Sequence, residues 1–152
     1  MITIEQVGMD QAEVVFEFVD RLLRELREEQ EAYDGLDTAR LRRHWASGDD
    51  RFTAFTAQEE NGDVVGVLTL AECFAIYAGG RYGVINELYV AEMHRSQKVG
   101  EKLVQAAREY ATGKGWQRID VTAPAGEKWR RTVRFYERLG FVFTGPKLKL
   151  RL

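Results

Sequence analysis

The sequence has a single cysteine, Cys73, and two histidines, His44 and His94, among its 152 residues. One cysteine excludes an internal disulfide and any multi-cysteine zinc site. With only two histidines beside it, no metal is expected, and Cys73 reads as a small buried hydrophobe. No apolar run approaches the ~18 residues that a membrane span requires, so no membrane association is expected. The first residues, Met1-Ile2-Thr3-Ile4-Glu5, lack the basic flank and apolar core of a secretory signal, which points to a cytoplasmic protein. Internal repeats, low-complexity tracts and linkers are absent as well. With 45% hydrophobic and 30% charged residues, these absences leave a soluble globular composition. The length suits one domain over residues 1–152.

The net charge of −2 conceals an asymmetry. Residues 1–93 carry eight Lys and Arg against 19 Asp and Glu, whereas residues 94–152 carry 14 against five. An acidic front and a basic back suit an anionic ligand at one end and a cationic one at the other. They suit equally a solvated surface whose halves neutralise each other in the fold, and charge alone leaves both open.

Apolar periodicity predicts a strand over residues 2–7. A helix follows, opened by Asp10 with Glu13 as its capping-box partner and carried by Val15, Phe18, Leu22 and Leu26 to about residue 31. Asp37 is placed to cap a second, shorter helix through Trp45, closed by Ser47-Gly48-Asp49-Asp50. Strands are expected over residues 52–58, within 64–77 and over 82–90, turned by Asn61-Gly62-Asp63 and Ala78-Gly79-Gly80. The last of these is apolar on both faces apart from Asn86 and Glu87, as a central, doubly covered strand is. Strand–helix alternation then takes over. Val99, Leu103, Ala107 and Tyr110 mark a helix closed by Gly113 and Gly115. Ile119 and Val121 lie in a short strand stopped by Pro124. Trp129, Val133, Tyr136 and Leu139 mark another helix, with Gly140 at its C-cap. Phe141-Val142-Phe143 reads as a strand, Gly145-Pro146 as a turn, and Leu148, Leu150 and Leu152 alternate to the end. An antiparallel meander followed by strand–helix–strand crossovers predicts an α/β fold with a mixed sheet in three layers.

Three segments carry chemistry. Arg95-Ser96-Gln97-Lys98-Val99-Gly100-Glu101 joins a buried strand to an amphipathic helix. Such a turn exposes unpaired N–H groups at the positive end of the helix dipole, a site for phosphate or pyrophosphate. Arg95 and Lys98 add charge, and Gly100 admits a ligand close to the backbone. The segment is not a P-loop, having no Gly-Lys-Ser/Thr ending, nor a dinucleotide fingerprint, lacking two of three glycines. Glu87 is a carboxylate in mid-strand, costly there unless paired or functional. Burial would raise its pKa toward that of a useful general base, while the alternative is a structural carboxylate bonded to an arginine. In Arg134-Phe135-Tyr136-Glu137-Arg138-Leu139-Gly140-Phe141, Phe135 and Phe141 read as packing. Spacing leaves Tyr136 open between packing and chemistry.

Taken in this order, the three segments make the chain resemble the GNAT superfamily of acyl-CoA-dependent N-acetyltransferases. The resemblance covers essentially the whole chain in element order. It is most specific in Asn86-Glu87-Leu88-Tyr89-Val90, in residues 95–100 and in residues 135–141. The family's pyrophosphate loop reads Arg/Gln-x-x-Gly-x-Gly/Ala. Arg95 and Gly100 fill its outer positions, and Lys98 stands in place of its first glycine, which keeps a backbone donor, restricts φ/ψ and adds a cation. Trp129 stands where the family often carries an asparagine that helps hold the cofactor. The implied fold is a GNAT-like three-layer α/β fold with a mostly antiparallel sheet of about six to seven strands and about four helices.

What the resemblance implies chemically is transfer of an acetyl group from acetyl-CoA to a primary amine, directly, in a ternary complex, with no metal and no covalent role for Cys73. The backbone of Leu88, Tyr89 and Val90 would pair with the pantetheine arm and polarise the thioester carbonyl. Arg95, Ser96, Gln97, Lys98, Val99, Gly100 and Glu101 would wrap the pyrophosphate. Tyr136 would protonate the departing thiolate, and Glu87 would take the proton of the attacking amine, directly or through a water. The residue types fit: an amine of pKa ~10.4 must lose a proton before it attacks, and a thiolate of pKa ~8.5 leaves more readily beside an acid.

The implied acceptor is a small-molecule or peptide amine, with Tyr33, Asp34 and Asn86 as expected contacts. Glu25, Glu28, Glu29, Glu31 and Asp34 would favour a cationic amine such as a polyamine, an aminoglycoside or a basic peptide, though most of them read first as a solvated helix face. Homodimers are common in the family, and an exposed final strand can pair between chains. A second reading is a catalytically inactive acyl-CoA-binding module that regulates a partner; Lys98 and Trp129 support it, whereas Glu87 and Tyr136 speak for catalysis. Arg130, Arg131, Arg134 and Arg138 form a basic helix face. The sequence pI ≈ 5.8 and the lack of base-reading motifs make nucleic acid an unexpected partner.

Overall fold

The computed structural model describes residues 1–27, 32–124 and 126–152. Their order is β1 (Thr3–Val7), α1 (Ala12–Leu26), α2 (Thr38–Ser47), β2 (Phe52–Gln58), β3 (Val64–Ala75), β4 (Gly80–Val90), α3 (Val99–Gly113), β5 (Ile119–Val121) and α4 (Arg130–Arg138). The strands form one sheet in the order β1-β2-β3-β4-β5. The first four pair antiparallel, and β5 joins β4 in parallel after the α3 crossover.

Successive strand residues point to opposite faces, and Val67 and Leu68 of β3 show how this makes three layers. Val67 packs with Phe18 of α1 and with Tyr89. Leu68 packs with Leu70, Ile85 and the Val99, Leu103 and Ala107 face of α3. The two helices therefore cover opposite faces of the sheet. Burying a side chain such as Leu68 contributes about 1.5–3 kcal/mol. The α3 contact is close: a Cβ on Gly66 would lie 3.2 Å from the side chains of Leu103 and Val99 and from the Tyr89 carbonyl oxygen.

Helix α1 opens differently from expectation. Asp10 sits in a 3-10 turn, Met9–Gln11, and no side chain caps the helix. The Glu13 carboxylate instead pairs with Arg42 of α2, so no capping box forms. The helix is assigned through Leu26; residues 28–31, which include Glu28, Glu29 and Glu31, lie outside the described residues. Asp37 caps α2 as expected, its Oδ1 accepting the Arg40 N–H at 3.1 Å. Cys73 is half-buried on β3 rather than fully buried.

The sheet has five strands among the described residues, fewer than expected. Residues 141–143 and 148–152 pair with no strand, and Val142, Phe143, Leu148, Leu150 and Leu152 are exposed. Alternation tells which side chains share a face but not whether a partner edge is at hand. The edge strand β5 is only three residues long. No described helix is long and apolar enough to cross a membrane.

Candidate active site

The β3–β4 ladder is interrupted where the chemistry was expected. Thr69 faces Glu87 and Leu70 faces Ile85, so Asn86 is an extra residue, a β-bulge. The bulge turns both Ile85 and Leu88 to the α3 face, where both pack. Glu87 then shares the α1 face with Tyr89, two residues on. The Thr69 hydroxyl donates to Glu87 Oε1 at 2.5 Å and accepts the Glu87 N–H at 3.1 Å. Burial raises the Glu87 pKa above the ordinary carboxylate value, against the opposing pull of the Thr69 hydrogen bond and the positive charge of Lys147. Glu87 is thus a more basic carboxylate than one in water, and Asn86 beside it is exposed.

Pairing between β4 and β5 ends at Ile85 and Val121. Beyond it, no strand among the described residues covers that flank of β4 along residues 86–90. The Val90 carbonyl is already engaged, accepting from Arg95 Nε at 2.9 Å. Arg95 also donates through Nη2 to Glu25 at 2.7 Å, and its guanidinium lies 5.2 Å from the Tyr89 ring centre. The Tyr89 hydroxyl donates to the same Glu25 at 3.3 Å, and burial raises its pKa, with Glu25 adding to the rise. Arg95 therefore ties the loop to α1 instead of standing free for an anion.

The rest of the loop does face outward. Ser96, Gln97 and Lys98 are exposed, and the Gln97 N–H donates to the His94 carbonyl at 3.3 Å. Lys98 precedes α3 with φ 62° and ψ 23°, the left-handed region; among the described residues it is the one non-glycine with positive φ. The Lys102 N–H closes the first helical turn on the Lys98 carbonyl at 3.1 Å. The N–H groups of Val99, Gly100 and Glu101 precede that bond and have no intrahelical acceptor, at the positive end of the dipole. Gly100 also makes room for α4, since a Cβ there would lie 3.1 Å from the Phe135 ring. Lys98, Lys102 and Arg108 line a cleft of about 290 Å³ with Glu101, Gln105 and Leu139. None of these three cations is paired with a carboxylate among the described residues.

Tyr136 is buried on α4, with Phe135 and Phe141 edge-on at 5.1 and 5.4 Å between ring centres. Both rings belong to the cluster that holds Leu88 and Val90. Burial pushes the Tyr136 phenol up to about 12. No hydrogen bond to its hydroxyl is found among the described residues. Trp129 is half-buried just ahead of α4, with the Lys128 ammonium 5.1 Å from its ring centre.

The expected acceptor contacts separate. Tyr33 donates to Asp20 at 2.6 Å, under the Arg24 guanidinium at 5.0 Å from the ring centre. Burial, then the Asp20 bond, pushes its phenol up to about 12. Asp34 beside it is exposed. No bond joins either residue to Glu87 among the described residues. The structure thus gathers Asn86, Glu87, Leu88, Tyr89, Val90 and Arg95 into one stretch, and holds Tyr33 to α1 at Asp20.

The model of the Acetyltransferase (GNAT) family matches residues 18–141. The chain belongs to this family. An aminoalkylphosphonate N-acetyltransferase of Salmonella typhimurium is 35% identical over 81 residues, which are 53% of this chain and 51% of that protein. The match thus spans about half the length of that relative, 51%. Two solved structures share the fold. An aminoglycoside acetyltransferase from an uncultured soil metagenomic sample superposes with a TM-score of 0.79 at 21% identity, over 100% of this chain and 99% of that one. A ribosomal-protein-alanine N-acetyltransferase from Brucella melitensis biovar Abortus does so with a TM-score of 0.77 at 16% identity, over 100% of both chains.

Thr69 escaped sequence reasoning at this GNAT protein's site, and Glu25 was read there with a different partner. Thr69 is the only polar residue in Val64-Val65-Gly66-Val67-Leu68-Thr69-Leu70, which was the available signal. Glu25, expected on a face favouring a cationic amine, instead pairs with Arg95, 70 residues on, and accepts from the Tyr89 hydroxyl; nothing local in the sequence marks these partners.

Proposed function

We propose that this GNAT protein moves an acetyl group from acetyl-CoA to a primary amine of a small molecule or peptide, directly, in a ternary complex. The observation that carries this is Glu87: a half-buried carboxylate, made more basic by desolvation, on a bulged strand whose next residues leave one flank unpaired. The residues fit a long, amide-bearing, polyanionic cosubstrate. The open flank of β4 offers backbone groups to its arm. The first turn of α3, Lys98 and the cations of the adjoining cleft face its phosphates. Acetyl-CoA supplies the acyl group, activated as a thioester.

The chain's own residues do the rest. Leu88 and Tyr89 carry the backbone contacts along the open flank, and Val90 shares its carbonyl with Arg95. Residues 96–101 hold the pyrophosphate, with Lys98 as their free cation, while Arg95 fixes the loop to α1 through Glu25. Glu87 takes a proton from the amine. Tyr136, with its phenol at about 12, keeps its proton at neutral pH and holds it for the leaving sulfur. Asn86 and Asp34, both exposed, meet the acceptor, with Asp34 favouring a cationic one, while the Tyr33 hydroxyl stays bonded to Asp20. The relatives' names, an aminoalkylphosphonate and an aminoglycoside acetyltransferase, support a small amine. The same reading holds residues 1–152 to be one cytoplasmic domain. It makes a second copy the partner of the exposed Phe143, Leu148 and Leu150.

Calorimetry with acetyl-CoA, followed by free-thiol release across aminoalkylphosphonates, aminoglycosides, polyamines, amino acids and lysine or N-terminal peptides, tests this. Binding with turnover of one amine class is expected. Binding without turnover of any class would favour the inactive acyl-CoA-binding module, and absence of binding would remove acetyl-CoA from the scheme.

A further inference from the structure

Thr69 is 1% exposed and lies directly across the ladder from Glu87, where the Asn86 bulge shifts the register. Its hydroxyl oxygen faces the Glu87 N–H at 3.1 Å, and its hydroxyl donates to Glu87 Oε1 at 2.5 Å. A hydroxyl carries a single hydrogen. With the oxygen turned to a backbone donor, that hydrogen goes to the carboxylate. The main chain and side chain of Glu87 are thus both fastened to one atom. Glu87 Oε2 has no hydrogen-bond partner among the described residues.

We propose that Thr69 is the positioning residue of Glu87: it clamps Oε1 and leaves Oε2 as the oxygen that accepts the proton of the acceptor amine. The inference rests on Glu87 being the base of the proposed transfer. Threonine suits the task because its branched Cβ is stiff in a strand, its methyl fills the buried site and its hydroxyl supplies the donor. Valine keeps the shape and loses the donor; serine keeps the donor and loses the methyl. The bond favours the charged carboxylate, which burial disfavours, and the charged group that also acts on Glu87 is Lys147 of the C-terminal segment. Removing the Thr69 donor while Lys147 stays raises the pH at which Glu87 ionises.

The test compares Thr69→Val and Thr69→Ser in the full chain. The Glu87 carboxyl is titrated by 13C NMR without substrates, and kcat and KM are measured against pH. Thr69→Val is expected to move the Glu87 midpoint up by about one pH unit. It should lower kcat and leave the KM for acetyl-CoA in place. Thr69→Ser should keep the original midpoint, although it opens a small cavity. Thr69→Ala gives the same reading as valine where valine strains the sheet. A Glu87 titration that does not move in Thr69→Val or Thr69→Ala overturns the clamp, as does a serine variant as impaired as the valine one. The base assignment fails separately: Glu87→Gln would then keep the acidic limb of the rate profile, while the NMR titration still judges Thr69.

Discussion

Glu87 on β4 and Tyr136 on α4 are both drawn out of water, but what surrounds them differs in kind. Around Glu87 burial is opposed: a hydroxyl donates to the carboxylate, and a lysine charge acts on it. Around Tyr136 nothing opposes it: the ring meets Phe135 and Phe141, and burial alone pushes the phenol up to about 12. A general base has to reach its charged form to work, and a general acid has to keep its proton. On the proposed roles, the polar partner accompanies the group that has to ionise, and the apolar shell the one that has to keep its proton.

Breaking the first half of this contrast has the largest expected effect. Glu87→Gln should lower kcat/KM by about 10²- to 10⁴-fold in thiol-release assays. The same change should raise stability at neutral pH. The folded-state pKa of Glu87 lies above the unfolded value, so the fold prefers the protonated form. Its favourable contribution is present below the unfolded pKa and is lost as pH rises through the folded one. Thermal melts at pH 7 should therefore rise in Glu87→Gln, and the gain should shrink at pH 4; a variant that melts lower at pH 7 would mean the carboxylate is structural.

The second half breaks with Tyr136→Phe, which keeps the ring and removes the proton. It should lower kcat by about 100-fold, at the weak end of acid catalysis, with acetyl-CoA binding unchanged by calorimetry. Because burial pushes the phenol up to about 12, Tyr136 should produce no falling alkaline limb below about pH 10. Full activity in the phenylalanine variant would return Tyr136 to packing. The smallest effect sharpens the contrast from outside it. Lys98→Gly relieves a left-handed residue, and urea unfolding should show a gain of about 1 kcal/mol. Acetyl-CoA affinity should fall about fivefold for the lost cation, with the pH profile unmoved.

Much of the scaffold was legible because local patterns decide it. The strand over Phe52–Gln58 and the helix from Val99 to Gly113 follow from periodicity and glycine punctuation. Lys98, in place of a glycine, was expected to restrict the loop's φ/ψ, yet it keeps the left-handed conformation that glycine adopts most readily. The helix opening at Asp10 was misplaced because Glu13, its supposed partner, finds Arg42 from another helix. The terminal alternation of Leu148, Leu150 and Leu152 is a strand pattern without a ladder, since β5 offers a short edge. Glu87 was visible as a charge in an apolar run. Its clamp was not, because Thr69 meets it only through a bulge that shifts pairing by one residue. The Glu25–Arg95 pair hides likewise in a contact between α1 and the loop after β4.

The most direct measurement is the pH dependence of kcat/KM for thiol release with one amine, in the native protein and in Glu87→Gln. Glu87 as base predicts an acidic limb in the native profile that matches the NMR titration of its carboxyl. That limb should be gone from Glu87→Gln, whose residual rate should follow deprotonation of the amine alone. The same limb in both proteins would contradict the assignment and place the base elsewhere on the open flank of β4.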